Sequence, residues 1–258
     1  MYAKALRRAF DRAAALLLEA AGQATVLTGA GISVASGIPA FRGSQGLWDR
    51  YDPFEYAEIT SFRRQPEKVW SMLGEMCAVV ERARPNRAHE VLAELEEKGL
   101  LHSLITQNVD GLHQAAGSRK VIEFHGALRH LGCLECDWRW LHFKLDQSEI
   151  MPPRCQECGA ILKPEVVFFG ESIPDWALLE ASSEAEKAGV MLVVGTSAEV
   201  HPAAEMPHLT KRAGGKVIEI NLEPTALSGS LSDLTILGPA EQVLAEILLA
   251  CERLQGHA

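Results

Sequence analysis

No stretch of this sequence approaches the roughly 18 consecutive apolar residues that a membrane-spanning helix requires. Near the N-terminus only six apolar residues stand in a row, at 13–18, fewer than the core of a signal peptide contains. Basic residues are also scarce relative to acidic ones, 25 against 34, and a general nucleic-acid binder needs a basic surface. We therefore expect a cytoplasmic protein that contacts neither membranes nor nucleic acid directly.

Internal repeats and low-complexity segments are absent as well, and the chain instead alternates short apolar runs with helical patterns. The runs have strand length and lie at 24–28, 101–106, 120–124, 190–194 and 216–220. Helical periodicity covers the stretch before Gly22 and then 67–82, 87–98, 175–188, 203–213 and 241–254. Nearly continuous apolar strands between helices are typical of a parallel sheet covered on both faces. The sequence predicts such an α/β fold, interrupted by a mostly helical and loop insertion at 44–85 and by a segment with little regular periodicity at 129–163.

Four of the six cysteines form two C-x2-C pairs, Cys133 with Cys136 and Cys155 with Cys158. This spacing is typical of a zinc ribbon, in which two tight turns supply four thiolates to one tetrahedral ion. Such a site is structural, because four protein ligands leave no open position for catalysis. The alternatives are free buried thiols or disulfides, and disulfides are disfavoured without a signal peptide. We predict one structural zinc ion.

Glycines follow the first predicted strand directly, in the run Gly29-Ala-Gly-Ile-Ser33. Glycine at this place lets the backbone approach a pyrophosphate, whose charge faces free N–H groups of the next helical turn. The G-x-G-x-x-G fingerprint of dinucleotide sites is incomplete, because Val34 stands where its third glycine belongs. Arg42 adds a cation suited to phosphate. Alone, the loop is equally compatible with a tight turn.

Three further polar clusters come directly after predicted strands. They are Gln107-Asn108-Val109-Asp110, Gly195-Thr196-Ser197 and Asn221-Leu222-Glu223. A single cluster of this kind is commonly a turn or a helix cap. However, open α/β sheets bind ligands at the edge where the carboxyl ends of their strands lie. Four clusters at one edge therefore predict a nucleotide site.

Taken together, ordered motifs over nearly the whole chain resemble those of the sirtuin family. Besides the glycine run, the two cysteine pairs, Gly195-Thr-Ser197 and Asn221, they are Gly37-Ile-Pro-Ala-Phe-Arg-Gly43, Pro85-Asn86, Ala88-His89, Thr106-Gln-Asn-Val-Asp-Gly-Leu-His113, Phe124-His-Gly126 and Lys163-Pro-Glu-Val-Val-Phe-Phe-Gly-Glu171. The resemblance implies an NAD-dependent protein-lysine deacylase acting on acyl-lysine proteins or peptides. In that reaction the acyl group moves from lysine to ADP-ribose and nicotinamide is released, so NAD is consumed as a co-substrate.

The resemblance also implies two domains. A Rossmann-like domain would comprise residues 1–43, 86–128 and 164–258. A smaller domain would combine a helical insertion, 44–85, with the zinc ribbon, 129–163. NAD and the acyl-lysine would enter the cleft between the domains from opposite sides.

By the same matching, His125 is the catalytic base, and the ordinary pKa of histidine, about 6.5, suits that task. Without the family motif, His125 would more commonly be a hydrogen-bonded core histidine. Asn108 and Asp110 are expected to orient the ribose and hold the nicotinamide carboxamide. Phe41 is expected to shield the reactive sugar carbon from water. The full set expected to bind NAD is Gly29, Ala30, Gly31, Ile32, Ser33, Phe41, Arg42, Gln107, Asn108, Val109, Asp110, Gly195, Thr196, Ser197, Asn221, Leu222, Glu223 and Ala240.

The acyl-lysine tunnel is expected to run along Val166, Val167, Phe168 and Phe169, with Glu199 and Val200 forming the opposite wall. We expect an extended peptide to pair with the 166–169 edge through backbone hydrogen bonds. A core strand is the alternative for the same four residues.

One departure from the family pattern concerns the acyl group. Sirtuins that prefer succinyl- or malonyl-lysine carry a Tyr-x-x-Arg pair in the helical insertion, and this chain has no tyrosine after Tyr56. A buried carboxylate without a cationic partner is costly. We therefore predict a preference for neutral acyl groups, with acetyl as the default. Four apolar residues of the insertion either widen the tunnel or form ordinary helix core: Trp70, Met72, Leu73 and Met76.

Other functions remain as alternatives. A mono-ADP-ribosyltransferase or an NAD glycohydrolase would use the same NAD contacts. A non-catalytic NAD-binding or zinc-ribbon module would not need His125, Asn108 and Asp110 together. A hydride-transferring dehydrogenase is disfavoured by the incomplete glycine fingerprint. Whether nicotinamide release requires an acylated peptide distinguishes a deacylase from the transferase and the glycohydrolase.

Overall fold

The structure, a computed structural model, describes residues 2–40, 46–143 and 152–256. Its strands are β1 (Ala24–Thr28), β2 (Ser103–Thr106), β3 (Val121–Glu123), β4 (Gly126–Cys133), β5 (Arg139–Trp140), β6 (Leu162–Val166), β7 (Val190–Val194), β8 (Lys216–Asn221) and β9 (Leu234–Leu237). Its helices are α1 (Tyr2–Glu19), α2 (Leu47–Arg50), α3 (Pro53–Tyr56), α4 (Ile59–Arg64), α5 (Pro66–Arg82), α6 (Arg87–Glu97), α7 (Leu112–Ala115), α8 (Asp175–Lys187), α9 (Met206–Arg212) and α10 (Ala240–Gln255).

The main sheet has six parallel strands in the order β3-β2-β1-β7-β8-β9. All residues of β1 and β7 are buried, which explains their continuous apolar sequence. The chain runs outward from β1 to β3 on one side and from β7 to β9 on the other, so the strand order reverses between β1 and β7. Such a switch point opens a crevice at the carboxyl ends of the strands. The predicted α/β fold is confirmed.

Helices cover both faces of this sheet. One apolar cluster joins β1, β2, β7 and β8 to α1, α6 and α10. Another joins the opposite face to α8 and α9. Among the described residues, no helix combines the length and apolar character that crossing a bilayer would require.

A second, smaller sheet is antiparallel, with the order β5-β4-β6. It shares an apolar cluster with α5 and lies beside α2 and α4. The segment 129–163, which shows little regular periodicity in the sequence, contributes strand residues to this sheet at 129–133, 139–140 and 162–163. Strands β4 and β6 also extend across the expected domain boundaries at 128/129 and 163/164. Lys163 and Glu165 interrupt the apolar pattern of β6, which is why the sequence did not reveal that strand.

Two other elements differ from the prediction. The helix expected at 203–213 is a short 3-10 turn, Ala203–Glu205, followed by α9. Pro207 lies in the first turn of α9, where a missing backbone N–H costs least. Strand β9 was not predicted, because it is a four-residue edge strand with only one fully buried side chain, Ile236.

Candidate functional site

Glycines bring two loops into direct backbone contact at the switch point. The amide of Gly31 donates a 2.9 Å hydrogen bond to the carbonyl of Gly195. A Cβ on Gly31 would lie 2.8 Å from the Cα of Gly195. Gly195 has φ +61°, and a Cβ there would lie 2.5 Å from the amide nitrogen of Ile32. Any side chain at either position would force the loops apart, so bare backbone forms the floor of the crevice.

The residues after Gly29 form a 3-10 helix, Ala30–Ser36, that ends at Gly37 with φ +85°. Asn86 holds this turn in place. Its amide group donates to the carbonyl of Ile32 at 2.8 Å and to Ser36 Oγ at 2.9 Å. The turn therefore presents Ile32 and Ser33 from a fixed backbone. Phe41 and Arg42, which were expected to complete this side of the site, lie outside the described residues.

Ser33, Asn108 and Asp110 form one hydrogen-bonded cluster. Asn108 donates through Nδ2 to the carbonyl of Gly29 at 3.1 Å and to Ser33 Oγ at 3.2 Å. Ser33 Oγ in turn donates to Asp110 Oδ2 at 2.7 Å, and Asp110 Oδ1 accepts the amide of Leu112 at 2.9 Å. Burial raises the pKa of Asp110 above its ordinary value. These hydrogen bonds fix the positions of Asn108 and Asp110 relative to the glycine loop. Both residues are expected to contact NAD.

The ring of His125 is oriented by the neighbouring backbone. Its Nδ1 lies 3.2 Å from the carbonyl oxygen of Gln107, which only accepts hydrogen bonds. Nδ1 therefore carries the proton in the neutral ring, and Nε2 keeps a free lone pair. Burial lowers the pKa of His125 from its ordinary value of 6.5. At neutral pH, His125 is thus an uncharged base with Nε2 as the accepting atom.

The loops after β7 and β8, with residues 195–197 and 221–223, reach the same edge of the sheet. Gln107 donates to Thr196 Oγ1 at 2.9 Å, and Asn221 donates to the carbonyl of Thr196 at 2.7 Å. The amide of Gly195 donates to the carbonyl of Ile220 at 3.0 Å. The structure therefore connects the loops after β1, β2, β7 and β8. Leu222 and Glu223 lie exposed beyond β8, and Ala240 lies at the first turn of α10.

His89 and His113 belong to the sequence motifs, but no role could be assigned to them from the sequence. Both side chains are buried. His113 Nε2 lies 3.0 Å from Thr28 Oγ1, which donates to Thr106 Oγ1 at 2.9 Å, and Thr106 Oγ1 accepts the amide of Asn108. His89 Nε2 lies 3.4 Å from Ser33 Oγ. Burial lowers the pKa of His89 to about 4 and that of His113 well below 6.5. Both rings therefore act as neutral supports for Asn108 and Ser33.

The backbone amides of Val167, Phe168 and Phe169 are hydrogen-bonded within the chain. The amide of Val167 donates to the carbonyl of His125 at 2.9 Å. The amide of Phe168 donates to Glu171 Oε2 at 2.8 Å, and that of Phe169 to the carbonyl of Ala57 at 2.8 Å. These three amides are used within the chain, so these residues offer side chains and not backbone donors. Glu199 and Val200 follow β7, on the other side of the switch point.

A buried ion pair supports this segment. Lys163 Nζ lies 2.9 Å from Glu171 Oε2 and donates to the carbonyls of Val166 at 2.7 Å and Pro164 at 3.1 Å. The ammonium group also lies 4.4 Å from the ring centroid of Phe168. Only 7% of the Lys163 side chain is exposed. The Lys163 ammonium group therefore ties the beginning of the segment 163–171 to its end at Glu171.

We expect the variant Lys163→Met to lose about 3 kcal/mol of unfolding free energy, because it leaves the Glu171 carboxylate partly buried without a cation. Urea unfolding measures this. The double variant Lys163→Met with Glu171→Gln is expected to recover most of the loss, since no uncompensated charge remains. A double variant no more stable than the single one would contradict the ion-pair explanation.

The four predicted metal ligands are brought together. Their Sγ atoms all lie within 4.8 Å of one another. The separations are 3.5 Å for Cys133–Cys158, 3.6 Å for Cys136–Cys155 and 3.7 Å for Cys136–Cys158. Four sulfurs each about 2.3 Å from one tetrahedral ion lie about 3.8 Å apart, whereas a disulfide bond is about 2.05 Å long. The thiols therefore fit one zinc ion.

The remaining two cysteines, Cys77 and Cys251, are buried in helices, and burial raises the pKa of each to about 11. They are core residues.

Helix α5 contributes both core and cavity residues. Trp70, Met72 and Leu73 are buried, and Trp70 donates through Nε1 to the carbonyl of Leu162 at 2.8 Å. These three residues form ordinary core. Met76 instead lines a small cavity of about 80 Å³ that also borders Asn108 and Asp110. The sequence left both readings open, and the core reading holds for Trp70, Met72 and Leu73.

The fold and the site together define an α/β protein with a ligand crevice at the switch point of its sheet and a separate four-thiol metal centre. The model of the Sir2 family matches residues 29–202. A relative from Archaeoglobus fulgidus, named NAD-dependent protein deacylase 2, is 46% identical over 249 residues, which cover 95% of this chain and 98% of the relative. The chain belongs to the Sir2 (sirtuin) family.

Solved structures show the same likeness. A Sir2 homologue in complex with NAD is 45% identical with a TM-score of 0.83, and the match covers 90% of each chain. A Sir2 structure containing a deacetylated p53 peptide and 3′-O-acetyl ADP-ribose is 37% identical with a TM-score of 0.86. That match covers 92% of this chain and 96% of the other.

Proposed function

We propose that this protein is an NAD-dependent protein-lysine deacylase that releases nicotinamide and yields free lysine and O-acyl-ADP-ribose. The observation that carries the proposal is the free Nε2 of His125, a neutral base held by the carbonyl of Gln107, the residue that precedes Asn108 of the hydrogen-bonded cluster. The names of the similar proteins support the same activity, since they are NAD-dependent deacylases and complexes with NAD or acetyl ADP-ribose.

In this proposal His125 accepts a proton from a ribose hydroxyl at Nε2, while Nδ1 stays bonded to the Gln107 carbonyl. Asn108 and Asp110 orient the ribose and the carboxamide. NAD supplies the ADP-ribose acceptor and the nicotinamide leaving group. The loops containing Gly31 and Gly195 would hold its phosphates, because their close mutual packing brings backbone to the carboxyl ends of β1 and β7.

The remaining NAD contacts predicted from the sequence belong to the same proposal. Ala30, Ile32, Phe41 and Arg42 would enclose the ribose and phosphates. Residues 195–197 and 221–223, with Ala240, would hold the adenosine half.

We infer that the acyl-lysine enters past Val166, Val167, Phe168 and Phe169, which contribute side-chain walls. Support comes from the amide of Val167, which is bonded to the carbonyl of His125 and therefore places this wall beside the base. Glu199 and Val200 would form the opposite wall. A solved relative contains a p53 peptide, which favours protein substrates.

The division into a Rossmann-like domain and a smaller domain with a structural zinc ion stays part of this proposal. The apolar cluster that joins α5 to the antiparallel sheet supports the division. A cytoplasmic location without direct nucleic-acid or membrane contact stays a prediction from the sequence.

Nicotinamide release tests the function directly. We expect release from NAD only when an acetyl-lysine peptide is present, with equal amounts of deacetylated peptide and O-acetyl-ADP-ribose by mass spectrometry. Release at the same rate without peptide would favour an NAD glycohydrolase. Transfer of ADP-ribose to a protein would favour a mono-ADP-ribosyltransferase.

We expect acetyl-lysine peptides to be turned over at least tenfold faster than succinyl-lysine peptides of the same sequence. The chain has no tyrosine after Tyr56, so the helical insertion lacks the Tyr-x-x-Arg pair that would hold a second carboxylate. A buried carboxylate without a cationic partner is costly. Competition between the two peptides in one reaction, followed by mass spectrometry, measures the ratio. Equal or faster desuccinylation would refute this preference.

A further inference from the structure

A large groove borders the proposed acyl-lysine wall, because Val166 and Val167 are among its lining residues. Its volume is about 860 Å³, which is enough for several peptide residues. Ile59 and Arg63 also line it, as does Trp176, with 57% of its surface exposed. Because Val167 is bonded to the backbone of His125, a substrate whose acyl-lysine reaches the base would have its neighbouring residues in this groove.

The acidic residues that line the groove are neutralised within the chain. Glu123 forms a two-pronged ion pair with Arg129, at 2.5 and 2.6 Å. Glu165 pairs in the same way with Arg139, and Glu171 pairs with Lys163 at 2.9 Å. Burial and the charge of Arg129 lower the pKa of His130, which keeps that ring neutral. These groups therefore contribute little net charge to the groove.

Arg63 is different. It lines the groove from the last turn of α4 and is exposed. Within residues 2–40, 46–143 and 152–256, no carboxylate lies within ion-pair distance of its guanidinium group. The described lining thus carries one uncompensated positive charge. This local charge is opposite in sign to the formal net charge of the chain, −9.

We propose that Arg63 selects acyl-lysine substrates that carry an acidic residue near the modified lysine. This inference rests on the proposed function. A guanidinium group pairs with a carboxylate through two parallel hydrogen bonds, and Arg63 is free to do so while the other described cations of the groove are engaged. A basic residue at the same place would be repelled. The net charge of the protein alone would predict the opposite preference, for lysine-rich segments.

The test uses the full-length protein and acetyl-lysine peptides that differ only in one flanking residue, Glu, Gln or Lys, placed at each flanking position in turn. At one or more positions we expect kcat/KM to be about three- to fivefold higher for Glu than for Gln, and lowest for Lys, as for a solvent-exposed ion pair. The preference should weaken in high salt. The variant Arg63→Gln should lose the preference while turning over the Gln peptide as the wild type does.

Arg64 provides the matched control. It is the next residue in the chain and is also exposed, but it is not among the residues that line the groove. The variant Arg64→Gln should keep the preference for acidic peptides. A preference that survives Arg63→Gln, or equal rates for the Glu and Lys peptides in an active wild type, would overturn the inference. Inactivity of the wild type on every acetyl-lysine peptide would instead contradict the proposed function, and this inference with it.

Discussion

Replacing His125 by asparagine is expected to lower kcat about 10²- to 10⁴-fold, the range typical for the loss of a general base. The asparagine amide can still donate to the carbonyl of Gln107, which now accepts the hydrogen bond from His125 Nδ1 at 3.2 Å. The substitution therefore removes the lone pair at Nε2 and retains the bond that orients the side chain. The KM for NAD and the zinc content should change little. Steady-state nicotinamide release measures the effect.

The same assignment predicts the direction of the pH dependence. His125 acts only as the neutral ring, so kcat/KM should rise with pH through the pKa of His125 and then level off. Because burial lowers this pKa from 6.5, the rising limb should lie below pH 6.5. The His125→Asn variant should lack this limb. Retention of more than about a tenth of wild-type kcat, or an unchanged limb in the variant, would remove His125 from the role of base.

The predictions from sequence succeeded where a short pattern determines the structure by itself. Strands β1 and β7 are buried at every position, so their apolar sequences were sufficient to find them. Cysteine spacing was sufficient for the metal centre, because each C-x2-C turn brings its own pair of thiols together. The glycines at 29, 31 and 195 could be predicted to form a loop site, but their mutual contact depends on two distant segments.

The contacts that sequence reasoning missed depend on tertiary burial. Nothing in the pattern around His89 and His113 reveals their contacts, since His89 lies against Ser33, 56 positions away, and His113 against Thr28, 85 positions away. The hydrogen bonds of the amides of 167–169 could not be predicted either, because their acceptors include the carbonyls of Ala57 and His125, which lie in distant segments of the chain. A pattern can predict an exposed strand edge, but it cannot show which donors the fold has already used.

The zinc ion is expected to be needed for activity, although it lies at the far end of the ribbon from His125. Strand β4 begins at Gly126, directly after His125, and ends at the ligand Cys133. Strand β6 pairs with β4 and leads to Val166 of the proposed substrate wall. Losing the ion removes the constraint that holds the four thiolates together, and structural zinc sites commonly contribute about 10 kcal/mol or more to folding. The disorder should therefore extend along both strands to the site.

We expect the variant Cys158→Ser to bind less than about a tenth of the zinc of the wild type, which should contain one ion per chain, to melt at a lower temperature and to lose most deacylase activity. Metal analysis, thermal unfolding and nicotinamide release measure these effects. The variants Cys77→Ala and Cys251→Ala are the matched controls, because both cysteines are buried outside the four-thiol cluster. They should keep the zinc and the activity. A zinc-free Cys158→Ser protein that deacetylates at the wild-type rate would show that β4 and β6 hold the site without the ion.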